Sequence, residues 1–191
     1  MIICAEQLEL SYFPEFLGKA KADEFYLQLT ENLDWQIEYY RMFGKTLPSP
    51  RLIAWYGNEG LNYRYSGINH HPTPWTKELL VIKTIIETNI NHSFNSVLAN
   101  FYRDGQDSMG WHADDEPELG INPVIASISL GESRRLCFRN TSSPRQSFNI
   151  SLEHGSLLVM SGKTQHFWQH AIPKTKINCQ SRINLTFRLI I

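Results

Sequence analysis

The sequence predicts a mainly β protein with flanking helices, an α+β fold whose core is an antiparallel sandwich or jelly roll. From residue 94 onward the chain consists of short runs rich in β-branched and aromatic residues, separated by Gly, Asn, Ser and Pro. No helical pattern separates these runs, whereas parallel strands need a crossover connection, which is usually a helix. We therefore expect successive strands to pair in antiparallel fashion.

Two amphipathic helices are expected before these strands. In residues 18–33 apolar side chains recur at intervals of four, at Phe25, Leu29 and Leu33. In residues 76–89 Leu and Ile recur with helical spacing behind Thr76, a residue type that caps helix N-termini. Each helix should pack one apolar face on the sheet.

Strands are predicted near residues 94–103, 124–130, 135–139, 147–152, 156–160 and 183–191. The last segment alternates most clearly, with apolar side chains at Ile183, Leu185, Phe187 and Leu189. Further strands are expected within 35–67, where Trp35, Ile37 and Tyr39 alternate with polar residues. Because 191 residues without a repeat or polar linker suffice for one hydrophobic core, we expect a single domain.

Charge is distributed unevenly along the chain. Residues 1–132 contain 18 acidic and 9 basic side chains, a balance of −9, whereas residues 133–191 contain 9 basic side chains and 1 acidic one, a balance of +8. A basic C-terminal third would suit nucleic acid, phosphate or a small dicarboxylate. The alternative is that the two parts neutralise each other across the fold.

Cysteine usage and hydropathy predict the compartment. The three cysteines, Cys4, Cys137 and Cys179, form no CxxC pair, which favours neither a disulfide framework nor a thiolate zinc site. The chain has no basic leader before an apolar stretch and no window of roughly 18 apolar residues. We therefore expect a cytoplasmic protein, nuclear in a eukaryote, that does not associate with membranes. We also expect a monomer.

The densest polar cluster runs from Trp111 to Glu116. In an extended segment His112 and Asp114 point to the same side, because side chains alternate, and both can meet one metal ion. A lone His-x-Asp pair is weak evidence, since an exposed acidic loop with an incidental histidine has the same sequence. Three later histidines could supply a third ligand, namely His154, His166 and His170.

Two histidines and one carboxylate suit Fe(II), because they occupy one face of the ion and leave three positions for a chelating cosubstrate and O2. The last predicted strand carries a second polar set with a spacing of two, formed by Arg182, Asn184, Thr186 and Arg188. The planar guanidinium of arginine suits carboxylates. The alternative is that these four residues form the solvated side of the sheet.

Several motifs between residues 42 and 191 occur in a characteristic order and spacing. They are Pro50-Arg51, Tyr56-Gly57, residues 63–67, Pro74-Trp75, Phe94-Asn95, Asn100-Phe101-Tyr102, and residues 112–116, 154–158 and 182–188. In these motifs the chain resembles the AlkB-type Fe(II)/2-oxoglutarate-dependent dioxygenases, and most closely their double-stranded-DNA repair branch. The resemblance implies Fe(II) as cofactor, 2-oxoglutarate and O2 as cosubstrates, and alkylated DNA as partner.

The resemblance also implies an architecture for the single domain of residues 1–191. Residues 94–191 would form a double-stranded β-helix, the jelly-roll catalytic core, and residues 1–93 would form N-terminal helices and a nucleotide-recognition lid.

The iron ligands implied by the resemblance are His112, Asp114 and His170. It favours His170 over His166 because the metal histidine of the motif follows an aromatic residue and a variable position and precedes Pro173. His154 would be structural. The implied 2-oxoglutarate pocket comprises Asn100, Tyr102, Arg182, Asn184, Thr186 and Arg188.

Within this pocket, Arg182 would bind the distal carboxylate and Arg188 would lie nearer the metal. The implied substrate contacts are Met42, Phe43, Arg51, Tyr63, Tyr65, Ser66, Asp115 and Glu116. Met42 and Phe43 match a hairpin that wedges into the base stack. Without the resemblance, a place in the core would be favoured for these apolar residues. Tyr65 departs from the phenylalanine of the most similar relatives, so its hydroxyl could change which lesions fit.

The implied activity is oxidative demethylation of bases such as 1-methyladenine and 3-methylcytosine in DNA. It would be coupled to decarboxylation of 2-oxoglutarate to succinate and to release of formaldehyde. The alternatives are an AlkB-type demethylase of RNA or protein, and a non-catalytic nucleic-acid-binding module of the same fold.

Overall fold

The computed structural model describes residues 1–42, 44–61, 63–65, 68–70 and 72–191, without the side chains of residues 4, 40–42, 45, 63–65 and 68–70. Its helices are α1 (Lys19–Asn32), α2 (Lys77–Ile90) and α3 (Thr164–Phe167), and a 3-10 turn covers Pro117–Leu119. Its strands are β1 (Ile2–Ala5), β2 (Leu8–Phe13), β3 (Gln36–Met42), β4 (Lys45–Gly57), β5 (Tyr63–Tyr65), β6 (Ile68–His70), β7 (Thr73–Pro74), β8 (Ser96–Tyr102), β9 (Met109–His112), β10 (Ile125–Gly131), β11 (Arg134–Asn140), β12 (Ser147–Leu152), β13 (Ser156–Ser161), β14 (Trp168–Ile172) and β15 (Arg182–Arg188).

Two sheets make up the body of the protein. The larger sheet has the strand order β1-β2-β13-β10-β15-β8-β4-β3, with β7 added parallel to β4. The smaller sheet has the order β12-β11-β14-β9, and all its neighbours are antiparallel. β5 and β6 form a separate antiparallel pair. The predicted mainly β fold with antiparallel pairing and flanking helices is confirmed.

The larger sheet is covered on one face by helices and on the other by the smaller sheet. The odd residues of β15, Ile183, Leu185 and Phe187, are buried in a cluster that includes the apolar faces of α1 and α2. A second cluster contains apolar side chains of β2, β11, β12 and β14. β15 therefore has an apolar face towards the helices, and its even residues lie on the opposite face, between the sheets.

Both predicted helices are present within about one residue of the expected ends. α2 begins as expected, because the Thr76 side chain accepts a hydrogen bond from the Leu79 backbone N–H at 3.3 Å. It ends at Asn91, whose φ of 51° lies in the left-handed region that stops a helix. None of the helices in the described residues has the length and hydropathy of a membrane span.

The six predicted strands after residue 94 are present as β8, β10, β11, β12, β13 and β15. β15 ends at Arg188 and not at residue 191, because the next backbone groups bond elsewhere. The side chain of Asn95 accepts from Ile190 N–H at 2.8 Å and donates to Ile190 C=O at 2.7 Å, and Ile191 N–H bonds to Glu118 C=O at 2.9 Å. Leu189, expected to face the core, is exposed.

The expected strands within 35–67 are present as β3, β4 and β5, although Ile37 and Tyr39 are exposed. Six strands lie outside the segments for which strands were predicted, namely β1, β2, β6, β7, β9 and β14. β1 to β4 belong to the same sheet as β8 and β15, so this sheet continues across residue 94. The division into a lid region and a catalytic core at that residue stays a prediction.

Candidate active site

A polar cavity lies between the two sheets. Its polar lining comes mainly from β8, β9, β14 and β15, namely Asn100, Tyr102, His112, Asp114, Ser127, His170, Arg182, Asn184, Thr186 and Arg188. The four even residues of β15 are all buried, so they are not the solvated side of a sheet. Polar groups are buried at a cost unless they have partners, which marks this cavity as a site for a polar ligand.

His112, Asp114 and His170 meet at one end of the cavity. One possible ligand atom from each residue lies within 4.8 Å of the other two. His112 and His170 are direct cross-strand partners in the β9–β14 pairing, and Asp114 follows β9 by two residues. His170 Nε2 is 3.9 Å from Asp114 Oδ2. Strand pairing and side-chain alternation together therefore bring the three groups to one point.

The protonation states of these groups suit a metal ion. His112 Nδ1–H donates to the Gly110 carbonyl at 2.9 Å, because a carbonyl can only accept, and this leaves Nε2 free. Burial, assisted by His112 and Arg188, lowers the pKa of His170 to about 3, so its imidazole is neutral at neutral pH. Two imidazoles and a carboxylate are the ligand set that suits Fe(II) with open positions.

Asp114 is held by two contacts from distant parts of the chain. Burial opposes its ionisation, but Arg188, His170 and His112 outweigh burial and lower the pKa of Asp114 to about 2. Arg188 Nη2 donates to Asp114 Oδ1 at 2.6 Å. The Gln165 side-chain carbonyl, on α3, accepts from the Asp114 backbone N–H at 2.9 Å. The carboxylate is thus ionised, and its second oxygen faces His170.

The other end of the cavity contains a buried cation with unused donors. Arg182 is 1% exposed, and its Nη2 donates to Ser129 Oγ at 2.9 Å. Within the described residues, its Nε and Nη1 have no hydrogen-bond partner. Burial lowers the pKa of Arg182 to about 10, which still leaves the guanidinium charged at neutral pH. A buried charge with free donors is costly, so this position favours a carboxylate ligand.

The Tyr102 ring lies between two guanidinium groups, those of Arg182 and Arg134. The Arg182 guanidinium carbon lies 5.2 Å from the centroid of the Tyr102 ring, and that of Arg134 lies 5.7 Å from the same ring. Arg134 also donates to the backbone carbonyls of Asp104, Asp107 and Pro173. Arg134 therefore connects the segments around β8, β9 and β14 behind the cavity.

Asn184 and Thr186 line the cavity but use their polar groups within the protein. Asn184 Nδ2 donates to Ser127 Oγ at 2.7 Å and to Ile128 C=O at 3.1 Å. The Thr186 hydroxyl donates to Asn184 Oδ1 at 3.0 Å. These bonds fix β15 on β10 beside Arg182 and Arg188.

The described structure covers only part of the predicted substrate contacts. Phe43 and Ser66 lie outside the described residues, and for Met42, Tyr63 and Tyr65 only the backbone, in β3 and β5, is described. The remaining three have defined side chains. Asp115 is exposed, Arg51 is buried and bonded to Asn100, and Glu116 has a buried Oε2 without a hydrogen-bond partner among the described residues.

The other two candidate histidines have partners away from the cavity. His154 Nδ1 accepts from the Gly131 backbone N–H at 2.8 Å, and its Nε2–H donates to Asp23 at 3.0 Å. His166 is exposed and bonds to Asn122 Oδ1 at 2.9 Å. Among the described residues, the structure brings His170 to His112 and Asp114 and leaves these two histidines elsewhere.

Three supporting residues were not identified from the sequence: Gln165, Ser129 and Arg134. Gln165 bonds to a backbone group 51 residues away, and Arg134 to groups 27 to 39 residues away. No local pattern indicates such partners. Ser129 could have been found from its alternation with Ser127 on a predicted strand, since both then share the face opposite Ile128.

Comparisons with known proteins agree with this geometry. Residues 9–188 match the model of the 2OG-Fe(II) oxygenase superfamily. The mouse protein named alpha-ketoglutarate-dependent dioxygenase alkB homolog 3 is 43% identical over 187 residues, which cover 93% of this chain and 65% of that protein. This chain thus spans slightly less than two thirds of that relative. The human protein named DNA oxidative demethylase ALKBH2 is 39% identical over 203 residues, which cover 99% of this chain and 76% of that protein.

Solved structures give the same fold at lower identity. A structure described as OsALKBH1 superposes with a TM-score of 0.69 at 18% identity and covers 94% of this chain and 97% of its own. A prolyl hydroxylase from Trichoplax adhaerens superposes with a TM-score of 0.66 at 12% identity and covers 95% and 83%. These likenesses concern the fold alone, and they confirm the predicted jelly-roll core.

Proposed function

The chain belongs to the 2OG-Fe(II) oxygenase superfamily and to its AlkB-type members, and we propose that it demethylates N-alkylated bases such as 1-methyladenine and 3-methylcytosine in DNA. Fe(II) is the cofactor of this family, and 2-oxoglutarate and O2 are its cosubstrates. In the proposed reaction an N-methyl base, 2-oxoglutarate and O2 give the unmodified base, formaldehyde, succinate and CO2.

One observation carries the proposal. A single cavity combines a His-Asp-His cluster at one end with a buried, incompletely paired guanidinium at the other. A metal that binds two oxygens of a chelating acid, and a cation that binds the far carboxylate of the same molecule, together fit a dicarboxylic keto acid. All these residues belong to one chain. The expectation of a monomer stays a prediction.

His112, Asp114 and His170 would hold Fe(II), which supplies the oxidation of the alkyl carbon when 2-oxoglutarate and O2 are bound. Arg188 keeps Asp114 ionised and oriented through the 2.6 Å bond. Arg182 would bind the distal carboxylate, with Ser129 fixing one side of its guanidinium and the Tyr102 ring packed against it. Asn184 and Thr186 hold the strand in place, and the apolar cluster between the sheets excludes water.

The substrate side of the proposal is supported by the relatives and by one orphaned group. The human relative is named a DNA oxidative demethylase. Glu116 lies two residues after Asp114, and its buried Oε2 lacks a partner among the described residues. A base that carries a positive charge after N-methylation would compensate that carboxylate better than a neutral base. Action on DNA would also match the cytoplasmic or nuclear compartment expected from the sequence.

The test is mass spectrometry of methylated single- and double-stranded DNA and RNA oligonucleotides after incubation with iron and 2-oxoglutarate. Loss of the methyl mass from DNA, with succinate formed in equal amount, supports the proposal. Loss from RNA alone would replace DNA by RNA as the substrate. Binding of methylated DNA without loss of mass or formation of succinate would contradict the enzymatic function and favour a non-catalytic binding module.

The proposed wedge at Met42 and Phe43 has its own test. A duplex base must be unstacked and its place filled, whereas a base in a single strand is already accessible. We expect Phe43→Ala to slow demethylation of 1-methyladenine in duplex DNA more than in the matched single strand at the same ionic strength. An equal loss on both substrates would show that Phe43 is a core residue and would remove the wedge assignment.

A further inference from the structure

We infer that Arg51 is a positioning residue for the cosubstrate pocket, because it fixes the side-chain amide of Asn100 with its NH2 group towards the cavity. Sequence resemblance assigns Arg51 to substrate binding, and the structure assigns its guanidinium a different partner. The inference rests on the proposed function only in taking 2-oxoglutarate as the ligand of this cavity.

Arg51 and Asn100 lie on adjacent strands of the larger sheet. β4 pairs with β8, and Asn100 is opposite Ile53 in this pairing. Arg51 is 5% exposed and Asn100 is 2% exposed. Arg51 Nε donates to Asn100 Oδ1 at 2.6 Å, and Arg51 Nη1 donates to Ser49 Oγ at 3.3 Å. A short bond from a charged donor, buried at both ends, is among the stronger hydrogen bonds in proteins.

This bond decides which end of the amide is available to a ligand. If the Asn100 amide rotated by half a turn, its NH2 group would meet the Arg51 N–H donor, and a buried bond would be lost without replacement. Asn100 also lines the cavity that contains Arg182. Within the described residues, Asn100 Nδ2 makes no hydrogen bond, so it remains as a donor.

A donor at this position suits an anionic cosubstrate. 2-Oxoglutarate presents only oxygen acceptors, so an amide NH2 attracts it and an amide C=O repels it. Arg51 thus contributes to cosubstrate binding without touching the cosubstrate.

The experiment measures 2-oxoglutarate affinity without nucleic acid. Wild type, Arg51→Met, Asn100→Ala and the double variant are loaded with Fe(II) anaerobically and titrated with 2-oxoglutarate, and the metal-to-cosubstrate charge-transfer absorbance is followed. Arg135→Met is the matched control, since it removes the same charge from an exposed position on β11. Thermal melting of every variant verifies that it is folded.

We expect Arg51→Met and Asn100→Ala each to weaken 2-oxoglutarate binding about tenfold, as for the loss of one hydrogen bond to a charged group. The double variant should bind like Asn100→Ala alone, because Arg51 acts through Asn100. Arg135→Met should bind like wild type. Additive losses in the double variant, or wild-type affinity in Arg51→Met, would overturn the inference.

A further variant tests the orientation of the Asn100 amide while keeping the buried contact with Arg51. Asn100→Asp retains an acceptor for Arg51 but presents an oxygen to the cavity in place of the NH2 group, and should weaken 2-oxoglutarate binding more than Asn100→Ala does. Wild-type affinity of Asn100→Asp would overturn the inference and leave the proposed function intact. If wild type itself gives no charge-transfer band, both the proposed function and this inference are wrong.

Discussion

The two ends of the cavity are built in different ways. At the metal end, where His112, Asp114 and His170 meet, the histidines come from two short strands of the smaller sheet, β9 and β14. The register of this strand pair shifts between His170 and Ile172. At the anion end, Arg182, Asn184 and Thr186 alternate along the single strand β15. The next polar residue of this strand, Arg188, reaches the metal end and bonds to Asp114. That strand lies between β10 and β8 and pairs in continuous register with both.

This difference separates two ways of arranging a site. A single regular strand presents alternate side chains on one face whatever its neighbours are, so the anion end depends mainly on local geometry. The metal end depends on the relative placement of two strands and a following residue, so it needs distant supports such as Gln165 and Arg188. The two ends should therefore respond to different substitutions.

The largest effect is expected at the metal end. His170→Ala removes one of three ligands and should abolish both Fe(II) retention and turnover, because the open-faced geometry needs all three. His166→Ala, the matched control from an exposed position, should retain both. The measurements are metal content after dialysis and succinate formation. An inactive His166→Ala together with a fully active His170→Ala would make the ligand assignment wrong.

Arg182→Lys should have a large effect on 2-oxoglutarate binding at the anion end, without affecting the metal end. An ammonium group is a point donor and cannot serve both Ser129 and a carboxylate through a planar fork, so the KM for 2-oxoglutarate should rise at least about tenfold. Fe(II) affinity should stay near that of wild type, which would distinguish the two ends. An unchanged KM across a 2-oxoglutarate titration would remove Arg182 from the pocket.

The anion end was the part of the site that residue patterns alone could indicate. The spacing of two from Arg182 to Arg188 predicts a shared face, because side chains alternate in any strand. Whether that face meets solvent or a cavity depends on the smaller sheet, and that pairing cannot be read from β15 itself. The periodic apolar residues of α1 and α2 predicted both helices for the same local reason.

The metal end was less accessible to such reasoning. His112 and Asp114 share a side through local alternation, but their third partner depends on the pairing of β9 with β14, and spacing left His154, His166 and His170 open. Only the resemblance favoured His170. β1 was missed because it is a short strand of four residues at the sheet edge. β2 is paired on both sides, and the alternation of its residues from Leu8 to Tyr12 could have predicted it.

An intermediate effect is expected from Gln165→Leu. The substitution leaves the buried Asp114 N–H without its acceptor, which costs about 1–3 kcal/mol. The N–H can find a new partner only if the Asp114 backbone moves, and its carboxylate would then move as well. We expect Fe(II) affinity to fall by about tenfold, with the 2-oxoglutarate affinity of the metal-saturated protein little changed. Competition with a chelator of known affinity measures the change.

Gln169→Leu is the matched control for this substitution. Gln169 accepts hydrogen bonds from Arg139, and it neighbours His170 in sequence but points to the opposite face of β14. If both glutamine variants weaken Fe(II) binding equally, the effect arises from general loosening of β14, and the specific support of Asp114 by Gln165 is wrong.

The smallest effect concerns the loop that joins the two ends, from β8 to β9. In this loop, burial opposes ionisation of Asp107, but hydrogen bonds from the side chain and backbone of Arg103 prevail, so the pKa of Asp107 is lowered. A carboxyl group with a lowered pKa stabilises the fold above its unfolded pKa of about 3.9, and this contribution is lost as the pH falls through the folded pKa.

Asp107→Asn should therefore reduce the free energy of unfolding at pH 7 by about 1 kcal/mol, a modest loss because the Arg103 side chain is 48% exposed and its charge is screened by solvent. Urea unfolding at a series of pH values should show the difference from wild type narrowing below about pH 4. A difference that stays constant with pH would mean that the loop depends on the shape of Asp107 and not on its charge. The affinities of Asp107→Asn for Fe(II) and for 2-oxoglutarate at pH 7 then show which end of the cavity the loop supports. A lower affinity for Fe(II) alone would indicate that the loop positions β9. Lower affinities for both would indicate that the loop holds β8 and β9 together.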